Sequence, residues 1–260
     1  MILRYKVALD LTPNAHPDKS MHLNNLGNSF HMRFNHLGEV SDLEQAILRN
    51  KAAVNLTPDG HPSKICYLNN LGNSFYTCFE HLGESFEEAI SSHRHSVDLT
   101  PDGHPDKPTL FSGLGGCFKA RFEHLGELSD LKQAISRYSN AVDLTPNGHP
   151  SKFHHLNNLG NSLCTCFQRL GELNDLKRAI LMHTDAVDLA CDGDLQKPTC
   201  LNNLGHTLFT CFECLGELND LEQAILRHTD AVGLTPDGHP NKPLHLKNFA
   251  KSLVASPQSE

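Results

Sequence analysis

Apolar residues recur at helical intervals through most of the chain. Leu23, Leu26, Phe30, Phe34 and Leu37 advance by 3, 4, 4 and 3 positions, one stripe on a helix (helix A) predicted from about Lys19 to Leu37. Gly38 supplies a left-handed cap, and Ser41 with Glu44 offers a capping box for a second helix (helix B) from about Asp42 to Leu56. Leu43, Ala46, Ile47, Ala53 and Val54 form its inward face. Pro58 ends it, and Thr57-Pro58-Asp59-Gly60-His61-Pro62 is turn chemistry. Neither helix buries its stripe alone; stacked pairs do.

The pair is one copy of a repeat. Leu-Gly-Glu begins at Leu37, Leu82, Leu125, Leu170 and Leu215, and the spacings 45, 43, 45 and 45 expose a two-residue deletion between Glu84 and Ala89, assigned to the inter-helix turn. Repeats are expected at about 19–62, 63–105, 106–150, 151–195 and 196–240, within a single domain over 1–255. Partial helices at 1–11 and 242–254 flank them, and 256–260 read as a disordered tail. Met1 falls in the column of Ala46, so the first piece starts midway along a helix B, as in a segment of a longer array.

Leu23-x-x-Leu26-Gly27-x-x-Phe30 followed by Ala46, Ala53 and Pro58 resembles the tetratricopeptide repeat, and the copies from Leu68 and Leu201 agree. The resemblance implies an all-α, right-handed α-solenoid of antiparallel helix pairs that binds an extended peptide or partner segment in a concave groove. Two features depart from the family: the period is 45 residues rather than about 34, and the opening aromatic is Leu. The long form is similar to fungal arrays that accompany CHAT peptidase or nucleotide-binding signalling domains. A regulatory fragment of such a protein is therefore the alternative to a free-standing scaffold.

The groove expectation rests on asparagine, a mediocre helix former repeated beyond any propensity reason. Asn24, Asn25 and Asn28 recur as Asn69, Asn70, Asn73, as Asn157, Asn158, Asn161, and in part as Asn202 and Asn203. The resemblance puts this stretch in the groove, where a carboxamide donates and accepts at once against a peptide backbone; a structural ladder between repeats is the other reading. Ser112, Gly113 and Gly116 interrupt the series. Glu80, Glu123 and Glu213 share a column, and Lys119 is the only basic residue near the expected groove among the middle copies, which points to a neutral or basic segment rather than an acidic tail.

Composition removes other classes. The 260 residues carry a formal charge of -8, which disfavours a nucleic-acid partner. No apolar run is long enough to span a membrane, and with no signal segment a cytoplasmic chain is expected. Of the 18 histidines, His16, His61, His104, His149 and His239 form one loop column, too widely spaced to chelate, and His36, His81 and His124 another at helix ends. Nine cysteines include Cys211-x-x-Cys214, with Cys166 and Cys78 in the Cys211 column beside Arg33 and Arg121; without a matching second pair they read as packing thiols, not a zinc or redox site. No cofactor is expected. Catalysis is not expected either, because nearly every polar group has copies while an active site needs a unique convergence. The incomplete terminal repeats leave self-association as a second kind of partnership.

Overall fold

The computed structural model describes residues 2–13, 15–191 and 193–256. Among them are twelve α-helices and no strand. They fall into two compact units, Met1–Leu144 and Thr145–Glu260. The first holds α1 (Ile2–Leu11), α2 (Lys19–Leu37), α3 (Val40–Leu56), α4 (Ser63–Leu82), α5 (Phe86–Leu99), α6 (Lys107–Leu125) and α7 (Leu128–Leu144). The second holds α8 (Lys152–Leu170), α9 (Leu173–Leu189), α10 (Lys197–Leu215), α11 (Leu218–Leu234) and α12 (Lys242–Ala255). In both, even-numbered helices are the A type and odd-numbered helices the B type.

The A helices α2, α4, α6, α8 and α10 end as the repeat pattern predicts. Gly38, Gly83, Gly126, Gly171 and Gly216 sit at φ between 71° and 78°, and each amide returns to the Phe carbonyl four residues earlier, such as Gly38 to Phe34 at 2.7 Å. That reversal lays the B helix against its own A helix. The core is the two stripes in contact: Phe34 and Leu43 with Cys78 in the first unit, Leu204, Leu208 and Phe209 with Leu221 and Ala224 in the second. Burying each such Leu or Phe contributes about 1.5–3 kcal/mol.

Three expectations are corrected. Helix α3 starts at Val40 with Glu39 at its N-cap and no side-chain cap bond, so Ser41 and Glu44 form no capping box. Leu37 is 62% exposed, because the stripe rotates away from α3 at the final turn. The two-residue deletion comes out of the helix rather than the turn: α5 has 14 residues where its counterparts have 17, and Ser85 enters it at φ 73°. Two ordered pieces, α1 and α12, lie where partial helices were expected; of the 256–260 tail only Ser256 falls among the described residues, and Met1 lies outside them.

Candidate functional site

The asparagines line successive A helices. Asn24 and Asn202 are buried, Asn73 is exposed, and Asn25, Asn28, Asn69, Asn70, Asn157, Asn158, Asn161 and Asn203 are half-buried. Several join into a ladder between neighbouring repeats. Asn70 Nδ2 donates to Asn24 Oδ1 at 2.9 Å in the first unit; in the second, Asn203 donates to Asn157 and Asn248 to Asn202, both at 3.0 Å. Gly113 occupies the donor column in the third repeat and offers Asn69 no amide. Each ladder bond uses one N–H and one oxygen, and a carboxamide carries two donors and two acceptor lone pairs. Asn28 and Asn73, one turn further on, make no side-chain hydrogen bond among the described residues.

Beneath this face lies a buried polar column that the sequence reading missed. Asn50, His93, Tyr138, His183 and His228 occupy one position of the B helices, each beside the Leu-Gly glycine of its own A helix. A Cβ on Gly27, Gly72, Gly160 or Gly205 would stand 2.2–2.7 Å from the facing Asn50, His93, His183 or His228 side chain, and on Gly115 at 3.1 Å from Tyr138. Glycine in this motif is therefore required by a side chain of helix B as much as by backbone approach.

The same side chains reach forward to the next A helix. Asn50 Nδ2 donates to Ser74 Oγ at 3.1 Å, His183 Nδ1 meets Thr207 Oγ1 at 3.0 Å, and His228 Nδ1 meets Ser252 Oγ at 2.8 Å. Thr207 gives its only hydroxyl proton to the Asn203 carbonyl, so His183 Nδ1 must donate to it. Nε2 then accepts from the Asn161 carboxamide, 3.1 Å away, once its interchangeable O and N are oriented to suit. Asn161 is thus committed to the scaffold. Cys117 stands in the serine column opposite His93, whose Nδ1 has no partner. Burial pulls His93, His155, His183 and His228 down to about 4, so they are neutral at pH 7.

The remaining polar columns are structural. Lys64 Nζ donates to the Val54 and Thr57 carbonyls at 2.9 and 2.6 Å, closing the preceding B helix, and Lys19 and Lys242 repeat this. Loop histidines accept a backbone N–H through Nδ1, as His61 does from Ser63 at 3.2 Å; in the loop that closes the fourth repeat Asp194 takes the place and accepts from Gln196 at 2.8 Å. His81 and His124 set their rings edge-on to Phe34 and Phe79, at 4.9 and 5.6 Å. Arg33 and Arg121 clasp Asp42 and Asp130 with two bonds each, and Arg33 holds the Asp42 carboxyl below its ordinary range. Cys211, in the same column, is buried and its thiol pushed up to about 12; Cys214 is exposed. Among the described residues no group of three or more His, Cys, Asp or Glu side chains is placed to hold a metal. No described helix is long and apolar enough to cross a membrane.

Residues 199–241 match the tetratricopeptide repeat family model. No curated protein matches the sequence. Among solved structures, the chain is similar to a thermophilic tetratricopeptide repeat protein of Thermus thermophilus, at 15% identity and TM-score 0.56 over 90% of this chain and 99% of that one. It is also similar to YrrB, described as a tetratricopeptide repeat protein with an unusual peptide-binding site, at 17% identity and TM-score 0.53 over 95% and 99%. A third neighbour is a putative kinesin light chain of Podosopora anserina with nearly identical repeats, at 13% identity and TM-score 0.59 over 83% and 98%. The chain has the tetratricopeptide repeat fold, an all-α array of helix pairs, and its fifth repeat carries the family's sequence pattern.

Proposed function

We propose that the chain is a non-catalytic protein-binding scaffold that takes an extended, neutral or basic segment along the asparagine face of its A helices. The supporting observation is the unspent hydrogen-bonding capacity of that face: Asn28 and Asn73 carry no internal bond among the described residues, and the ladder amides of Asn203 and Asn248 each donate only one of their two N–H groups, while Asn70 spends its second on Cys66. Such groups recognise a peptide backbone, which explains why no side-chain pocket is needed there. Two cations beside the face are engaged, Lys119 with Glu123 and Lys251 with Glu213 at 3.0 Å, so an acidic tail finds no free clamp in these two. Peptide capture by the similarly folded YrrB is in keeping with this reading.

The test is selection of a displayed random dodecapeptide library on the intact chain, followed by titration of the selected peptides against Asn28→Ala/Asn73→Ala. Loss of two backbone contacts should weaken binding at least about tenfold. Circular dichroism and melting temperature should hold, because neither side chain supports the scaffold. Selected peptides that bind wild type and variant equally would refute the assignment.

A further inference from the structure

Helix α12 is an A helix with nothing over its apolar face among the described residues. Its columns make the comparison internal to the second unit. Leu201 and Leu208 of α10, covered by α11, are 3% and 9% exposed; Leu246 and Leu253, their counterparts, are 45% and 46% exposed. The opposite side of α12 is fully docked, with Ser252 bonded to His228 and His245 to Thr235 at 2.9 Å. The helix is thus well anchored while presenting a stripe of Leu246, Phe249, Ala250 and Leu253.

We propose that this stripe is a dimerisation surface, on which α12 packs antiparallel against α12 of a second copy, about a two-fold axis between Phe249 and Ala250. The spacing is its own complement under that rotation: Leu246 falls opposite Leu253 of the second copy, and the large Phe249 opposite the small Ala250. Ala250 occupies the column of Gly205, the residue that lets α10 and α11 approach closely. Charge agrees. Lys247 comes level with Ser252 of the second copy and Lys251 with Asn248, while Lys251 is already held by Glu213 and lies over the Phe209 ring at 4.4 Å. Helix α1 of a second copy is the alternative occupant, and it would give a head-to-tail contact that does not close at two copies.

One 14-residue helix offers less than the roughly 800 Å² per partner of a stable complex, so a weak dimer is expected, with a dissociation constant on the order of 100 µM. Sedimentation equilibrium of the intact chain from about 10 µM to 1 mM should rise from the 28.8 kDa monomer and level off at twice that mass. Leu246→Glu/Leu253→Glu should raise the dissociation constant at least about tenfold with an unchanged melting temperature, since both residues are exposed in the single chain. Leu48→Glu, an exposed leucine on α3, should leave association intact. A monomer at every concentration, mass that keeps growing past the dimer as a head-to-tail contact with α1 would give, or equal association of the double-Glu variant would each overturn the proposal. Peptide binding is read separately.

Discussion

The buried column makes an unusual demand on Gly160, and Gly160→Ala measures it. Replacing a helix-interior glycine by alanine ordinarily stabilises by about 0.5–1 kcal/mol. Here the new Cβ would stand 2.5 Å from Cδ2 and Nε2 of His183 and 3.0 Å from Cε1. The ring cannot yield freely, because Thr207 holds Nδ1 and Asn161 faces Nε2. Overpacking costs about 1–3 kcal/mol and a broken hydrogen bond about 1 more, so the net expectation is destabilisation by about 1–3 kcal/mol. His183→Ala alone should cost about 2–4 kcal/mol through lost packing and bonds. In the double variant the clash is gone and alanine recovers its helix preference, so the loss should fall at least about 1–2 kcal/mol short of the sum. Gly233→Ala is the control: no atom lies within 4 Å of its Cβ, and it should stabilise by about 0.5–1 kcal/mol. Urea unfolding followed by far-ultraviolet circular dichroism at pH 7.5 reads all four variants. Stabilisation by Gly160→Ala of the size seen at Gly233, or a strictly additive double variant, would refute the packing argument.

The buried histidines also set a pH response. His93, His155, His183 and His228 titrate near 4 when folded against 6.5 in the unfolded chain, so between those values the unfolded state binds more protons. Their stability contribution is whole above about pH 6.5 and is lost as pH falls towards 4; melting temperature should drop steadily over that range, and a flat profile from 7.5 to 5 would contradict it. At the end of α3, Lys64→Met should strand the Val54 and Thr57 carbonyls and cost about 1–3 kcal/mol in thermal unfolding. An unchanged melting temperature would mean that water caps that helix as well as the lysine does.

Helix positions, the glycine reversals and the repeat register were legible in the sequence because each depends on contacts within about four residues. The Leu23–Phe34 stripe and the Gly38 cap are local in this sense, and their spacing alone located α2 at Lys19–Leu37. The column of Asn50, His93, Tyr138, His183 and His228 was not legible, although the Leu-Gly glycine that precedes each member was a signal that could have found it. Its members differ in chemistry and bond to residues 22 or 24 positions away, as His183 does to Asn161 and Thr207; that pairing exists only once two A helices have docked on one B helix. Lys64 misleads in the same way: a cation at a helix start opposes that helix's own dipole, and its use appears only when the end of α3 arrives beside it. Tertiary structure likewise decided the asparagines. Sequence placed Asn24, Asn28, Asn70 and Asn161 on one face, but inter-helix distance committed Asn24 and Asn70 to each other and Asn161 to His183, and left Asn28 without an internal bond. Periodicity tells which side of a helix a residue occupies. The separation and register of neighbouring helices, set by packing of the apolar stripes, determine which polar groups on that side are already spent.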